Sequence, residues 1–152
     1  MKSKIFVLSL LALTLILTGC GKTANNQLTV GDVANTYDAA KELNQDMNDP
    51  NKISSDENVE NLYTIMNYQG TESKETVKAA IKQGLEDGKK QGELSKELIL
   101  KQEIGTGYML GYAFGCKAAT GNEDKCNEDM GAKYQAILME GLNAQFQTPA
   151  AQ

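Results

Sequence analysis

Hydrophobic and polar positions divide this chain into one continuous apolar block and a series of helical stripes. The block runs from Ile5 to Leu17, 13 mostly apolar residues behind Lys2 and Lys4. It is too short for a durable membrane span, which needs roughly 20 residues. The stripes begin near Val30. Val33, Tyr37, Ala40, Leu43 and Met47 recur at three and four residues, and Asp32 is placed to cap that helix. Pro50 should stop it by Asp49, because proline disfavours helix at the residue before it. Ser54 and Glu57 have capping-box spacing ahead of the apolar positions Val59, Leu62, Ile65 and Met66, and Gly70 marks that helix's end. Thr71 is the expected cap of a third helix with Val77, Ala80, Ile81, Gly84, Leu85 and Gly88 on one side, broken at Gly92. A fourth helix is predicted from Ser95 to about Ala119. It carries no charge from Ile104 through Cys116, which predicts the central position. After a polar turn from Thr120 to Lys125, the line Cys126, Met130, Tyr134, Leu138, Leu142 and Phe146 predicts the buried stripe of a fifth. No segment alternates with a two-residue period. The predicted fold is all-α, a compact bundle of about five helices with one core.

Leu17, Thr18, Gly19 and Cys20, directly behind the basic and apolar block, resemble the lipobox of bacterial lipoprotein precursors. That resemblance implies cleavage before Cys20, lipidation there (palmitate among the acyl chains), and a leader over residues 1–19 that plays no part in the fold. The alternative is an ordinary secretory signal beside a chance cysteine. Residues 20–29 then form the lipidated cysteine and a polar tether, 30–146 the helical domain, and 147–152 a fraying tail after Pro149. Gly21 is not the aspartate that retains many enteric lipoproteins at the inner membrane, so the resemblance implies an outer-membrane anchor with the domain in the periplasm. A Gram-positive cell surface is the alternative address.

Composition then removes whole classes of chemistry. Taking 19 residues from 152 leaves 133, enough for one domain, and the loss of Lys2 and Lys4 takes the net charge from −5 to −7. Nucleic acid is therefore not an expected partner. The chain has no histidine, and all 15 of its basic residues are lysine. Without histidine there is no Ser–His or Cys–His pair and no His-based zinc site. Without arginine there is no bidentate fork for phosphate. Carboxylates, lysines and tyrosines remain, but no motif nominates a catalytic set, so a non-enzymatic protein without a resident cofactor is expected. With Cys20 consumed by lipid, Cys116 and Cys126 are left as a pair in an oxidising compartment, the alternative being two separately buried thiols.

Two glycine ladders, Gly84, Gly88, Gly92 and Gly107, Gly111, Gly115, step by four residues. Glycine costs about 1 kcal/mol per helix-interior site relative to alanine, so close helix approach must offset it. An intramolecular seam is the expected use. The alternative, a membrane glycine zipper, conflicts with the charges at Glu86, Asp87, Lys89 and Lys90 and with an uncharged stretch of only 13 residues in the second ladder.

Asp46, Asn48, Lys52 (through its carbonyl) and Glu57 fall at ligand positions of a degenerate EF-hand loop, a possible calcium site. Pro50 occupies a position where an oxygen ligand belongs, and a proline turn followed by a helix cap accounts for the same residues. Tyr108, Tyr112, Phe114 and Tyr134 read as core aromatics, with a ligand pocket as the alternative. Gly107, Tyr108 and Gly111, followed by the cysteine pair, resemble Tai-type immunity proteins of type VI secretion over about a quarter of the chain. The cysteine expected just before the Gly–Tyr pair is missing. The resemblance implies a small exported helical inhibitor of cell-wall amidases. The expected function is thus a lipid-anchored helical binding module, acting on an envelope or foreign protein as adaptor, pilotin, inhibitor or exclusion factor. The competing readings are a calcium- or small-ligand-binding lipoprotein and a carboxylate-dependent wall hydrolase.

Overall fold

A computed structural model describes residues 30–146, apart from the side chains of residues 30, 32, 102 and 144–146. The leader, Cys20, the tether and the tail lie outside the described residues. The described chain is all-helical, with no strand, and forms six helices rather than five. They are α1 (Val30–Asp46), α2 (Asp56–Met66), α3 (Lys74–Lys90), α4 (Lys96–Leu100), α5 (Gln102–Thr120) and α6 (Glu123–Phe146).

The caps fall close to the expected places but on different residues. Backbone helix already exists at Val30, so Asp32 lies inside the first turn, and its side chain is outside the described residues. Ser55, not Ser54, caps α2, its Oγ accepting from the Asn58 N–H at 3.2 Å. Ser54 turns inward. Its Oγ is buried without a hydrogen bond of full geometry, although it lies near enough to Glu86 to help Lys89 hold that carboxyl below the usual range. α2 ends at Asn67, in the left-handed conformation at φ 46°, and not at Gly70. Ser73 caps α3 by accepting from the Thr76 N–H, because Thr71 is engaged elsewhere, by Glu103. The end of α3 is a Schellman-type closure in which the Gly92 N–H reaches the Asp87 carbonyl at 3.0 Å and Gln91 takes a positive φ of 53°.

α1 and α2 form an antiparallel hairpin. α2 has 11 residues against 17 in α1, so it covers only the C-terminal half of its neighbour. Ala39, Ala40, Leu43 and Met47 are buried there, while Val33 and Tyr37, expected on the same face, are exposed. α2 and α3 are antiparallel too, bridged by Asp56 to Lys82 and Glu60 to Lys74 and Lys78. Exposed pairs of this kind add little each.

The centre is the pairing of α3 with α5. A Cβ on Gly84 would strike the Tyr108 carbonyl, one on Gly88 the Tyr112 carbonyl, one on Gly111 the Ile81 carbonyl and one on Gly115 the Leu85 carbonyl. Residue numbers rise together on both sides, so the helices run parallel, backbone against backbone. Gly107 completes the seam against Ile81 and Val77, whereas Gly92 lies past the end of α3 and takes no part. A parallel pair needs a return connection. α4 supplies it, which is why the predicted single helix from Ser95 to Ala119 is broken at Lys101, whose backbone is extended. α4 folds onto the start of α5 at Gly105, where a Cβ would meet the Ile99 carbonyl at 2.9 Å. Tyr108, Tyr112, Phe114 and Cys116 of α5 are buried, placing this helix at the centre as its uncharged stretch predicts.

Candidate binding surface

α6 returns antiparallel along α5, and its inner face is anchored at three levels. At its root Cys126 is joined to Cys116 in a disulfide with the Cα atoms 5.9 Å apart. About two turns further on, Lys133 reaches the C-terminal end of α3. Its Nζ donates to the carbonyls of Gln91 (3.1 Å) and Gly92 (3.0 Å), the Tyr112 hydroxyl (3.0 Å) and Asp129 Oδ2 (2.7 Å). An ammonium is favoured at this place because the last carbonyls of a helix lack intrahelical donors. Further still, Lys96 of α4 pairs with Glu140 at 2.6 Å.

Beneath Lys133 lies a buried polar layer. The Tyr112 hydroxyl donates to the Gly92 carbonyl at 2.8 Å. The Tyr108 hydroxyl donates to Asp87 Oδ2 at 2.9 Å and accepts from the Ser95 N–H at 2.8 Å. Burial pushes the Tyr108 hydroxyl far above its ordinary value, and the neighbouring Asp87 carboxylate adds to the rise. Burial pulls the Lys133 ammonium down, but Asp129 and Tyr112 outweigh it and the net shift is upward. Each hydroxyl and the ammonium is spent on pinning α3, α4, α5 and α6 together. The layer works as a fastener: Tyr108 and Tyr112 are core residues, as the sequence predicts for them and for Phe114.

The outer face of α6 is different. Tyr134, Leu138, Met139 and Leu142 are 37%, 38%, 57% and 48% exposed. This corrects the predicted buried stripe, and the reason is geometric. A line advancing by four residues on a helix of 3.6 per turn drifts by about 40° at each step, or about 160° over four steps. Cys126 is therefore buried, Met130 half-buried, and Tyr134, Leu138 and Leu142 progressively face away from the bundle. Phe146's side chain lies outside the described residues. Two helical glycines accompany this face: Cβ atoms on Gly131 and Gly141 would meet nothing within 4 Å, unlike those of the seam.

Two other places were candidates for ligand chemistry. At the predicted calcium loop, the Asn58 side-chain amide donates to Asp46 Oδ2 at 3.1 Å and to the Lys52 carbonyl at 3.0 Å, closing the loop on itself. Lys52 Nζ also lies 3.7 Å from Asp46, and Asn48 and Glu57 are exposed. Asp46 and the Lys52 carbonyl are thus brought together by the Asn58 amide, and no group of three or more His, Cys, Asp or Glu side chains is placed to hold a metal among the described residues. A shallow cleft of about 230 Å³ between α1 and α2 is lined by Asn35, Thr36, Glu60, Tyr63, Tyr68 and Lys74, among others. Glu60 is already paired to Lys74 and Lys78, and Lys74 sits over the Tyr63 ring at 5.3 Å. Beside it, Glu103 accepts from the Tyr68 hydroxyl and from the Thr71 and Glu72 amides, which hold its carboxyl below the usual range.

Among the described residues, then, the structure defines a disulfide-stapled, all-helical domain with exposed large apolar side chains on the outer side of its last helix and, elsewhere, at Val33 and Tyr37 of α1 and Leu100 of α4. No family model, curated protein or solved structure gives a significant match to the chain. Lys133 and Asn58 did not stand out in the sequence, because a lysine and an asparagine on helices resemble solvated residues until the fold brings them to a helix end and a loop. The outer face did carry a signal. Gly131 and Gly141 interrupt a helix with no ladder partner, and Met139 lies off the predicted stripe.

Proposed function

We propose that this chain is a lipid-anchored, envelope-facing helical module, tethered through Cys20, that acts by protein–protein contact and not by catalysis. The observation that carries this reading is the outer face of α6. From Tyr134 to Leu142 it presents large apolar side chains, and its one acidic residue, Glu140, is already paired with Lys96. Contiguous exposed apolar surface bounded by polar residues marks contact sites more than it marks chance. The disulfide and the Lys133 fastener hold that face rigid, which lowers the ordering cost of binding. The lipobox resemblance supports an outer-membrane anchor with the domain in the periplasm. The lack of histidine and the self-satisfied buried polar layer support a non-enzymatic role, as adaptor, pilotin, inhibitor, immunity protein or exclusion factor.

The test is capture of the protein from cross-linked envelopes of its own host, against a Cys20→Ser control and a Leu138→Glu variant. A protein recovered at near-equal amount with the wild type and lost with Leu138→Glu is the expected result. Equal recovery with Leu138→Glu would remove α6 from the reading, and no protein at all would remove protein contact.

A further inference from the structure

We infer that the first turns of α1 rest on the lipid bilayer, with Val33 at the acyl boundary, Tyr37 at the interface and Lys41 among the headgroup phosphates. This deepens the anchored-module reading and rests on the lipid at Cys20.

The half of α1 that α2 does not reach is open to solvent on almost every side. Among residues 31–38 whose side chains are described, Thr36 is half-buried and the rest are exposed. A helix of so few residues is marginal in water, so a surface that covers it stabilises it. The open apolar side is also not the core side continued. Counted at about 100° per residue, Tyr37 and Lys41 lie round the helix from Val33 in one sense, and the buried Leu43 and Met47 in the other.

The residues along the open line select the partner. Val33, Tyr37 and Lys41 follow one another at four-residue spacing, all exposed: an apolar side chain, then an aromatic one with a hydroxyl, then a cation. This is the order of surroundings met on leaving a bilayer, from acyl chains through the interfacial belt that favours tyrosine to the phosphates that a lysine reaches. An apolar pocket on a protein, by contrast, would have to bury the Lys41 ammonium or end short of it. The carboxylates Asp38 and Glu42 lie at least about 100° round the helix from Tyr37, as the polar side of an interfacial helix requires.

Chain length puts the bilayer at this place. Cys20 is ten positions before Val30, a span that cannot exceed about 36 Å. A lipid on Cys20 therefore keeps a bilayer at high effective concentration beside the start of α1, ahead of any partner that must diffuse to it.

The chain contains no tryptophan, so a single introduced one reports its own surroundings. The test uses the full lipidated chain, purified in mild detergent and returned to phosphatidylcholine vesicles with or without bromine on the acyl chains. In Tyr37→Trp the emission should shift to the blue and be quenched by the brominated lipid, and in Tyr134→Trp it should do neither. Adding Val33→Glu to Tyr37→Trp should abolish the quenching while the melting temperature is unchanged and the protein stays on the vesicles, because Val33 is 52% exposed and Cys20 still holds the chain. Absence of quenching in Tyr37→Trp, or equal quenching in Tyr134→Trp, overturns the proposal; with lipid found on Cys20 by mass spectrometry, the anchor reading then still stands. Cys20 found without lipid removes the anchor and this proposal together, and leaves protein contact through α6 to the capture experiment.

Discussion

The α3–α5 seam and α6 use the same residue type for opposite ends. In the seam, glycine removes side chains so that two backbones touch, and every position is already filled by its neighbour. On α6, no atom of the described residues lies within 4 Å of where a Cβ on Gly131 or Gly141 would stand. The difference teaches that glycines at four-residue spacing on two paired helices mark a close approach of backbones, whereas an isolated helical glycine does not by itself. The seam is the rigid centre. α6 lies at the edge, held by the disulfide, by Lys133, by ion pairs of Glu123 with Lys117 and of Glu140 with Lys96, and by Met130 and Ile137 packed on the core.

The contrast breaks most sharply at the seam itself. Gly88→Leu should abolish the folded state or destabilise it by at least about 3 kcal/mol, since the obstacle is the Tyr112 backbone and cannot rotate away. Thermal unfolding followed by circular dichroism reads this, and an unchanged melt would mean that the seam is not as close as described. Next comes the staple. Removing Cys116 and Cys126 together should cost about 3 kcal/mol in the chain-entropy model, with amide exchange rising in α6 before α3 or α5. Uniform exchange across the helices would show α6 to be as integral as the seam.

Lys133→Met should cost about 1–2 kcal/mol, because it removes a charged donor from the Gly92 carbonyl and the Tyr112 hydroxyl. The same layer sets an alkaline limit. Both Tyr108 and Lys133 have raised values in the folded state, from ordinary values of 10.0 and 10.5. A raised group contributes fully below its unfolded value and loses that contribution as pH climbs above it. Stability should therefore hold up to about pH 10 and fall beyond it, and Tyr108→Phe should flatten the fall in a denaturant series run from pH 8 to 11. The smallest effect is on α6. Gly141→Ala, read by thermal unfolding, should stabilise by up to about 1 kcal/mol, the opposite sign to the four glycines whose Cβ would strike backbone in the seam.

The parts of the fold that were legible in the sequence are those where periodicity and packing coincide. Val77, Ala80, Ile81, Gly84, Leu85 and Gly88 are all buried on α3 as their spacing predicts, and the uncharged α5 is central. The Cys116–Cys126 pairing followed from counting. The caps fall one or two residues from the predicted ones because Ser54 and Ser55, or Thr71 and Ser73, offer the same hydroxyl, and only the surrounding fold selects which one turns to the helix. The break at Lys101 was hidden because nothing in the local sequence forbids helix there. It is imposed by the need to reverse direction between two parallel helices. The four-residue line of α6 predicts a single buried face, but each step rotates it by about 40°, so its later residues leave the core. The candidate surface was thus composed of the right residues with the wrong side of the helix turned to water.

The staple has a kinetic consequence. Cys116 and Cys126 are ten positions apart, whereas Cys20 is 96 positions from Cys116. Loop-closure entropy makes the shorter ring easier by about 2 kcal/mol, a ratio of about thirtyfold. During oxidation the native pair therefore outruns the wrong partner even in an unfolded chain. Pairing of Cys20 with either partner is correspondingly disfavoured while the chain is unfolded.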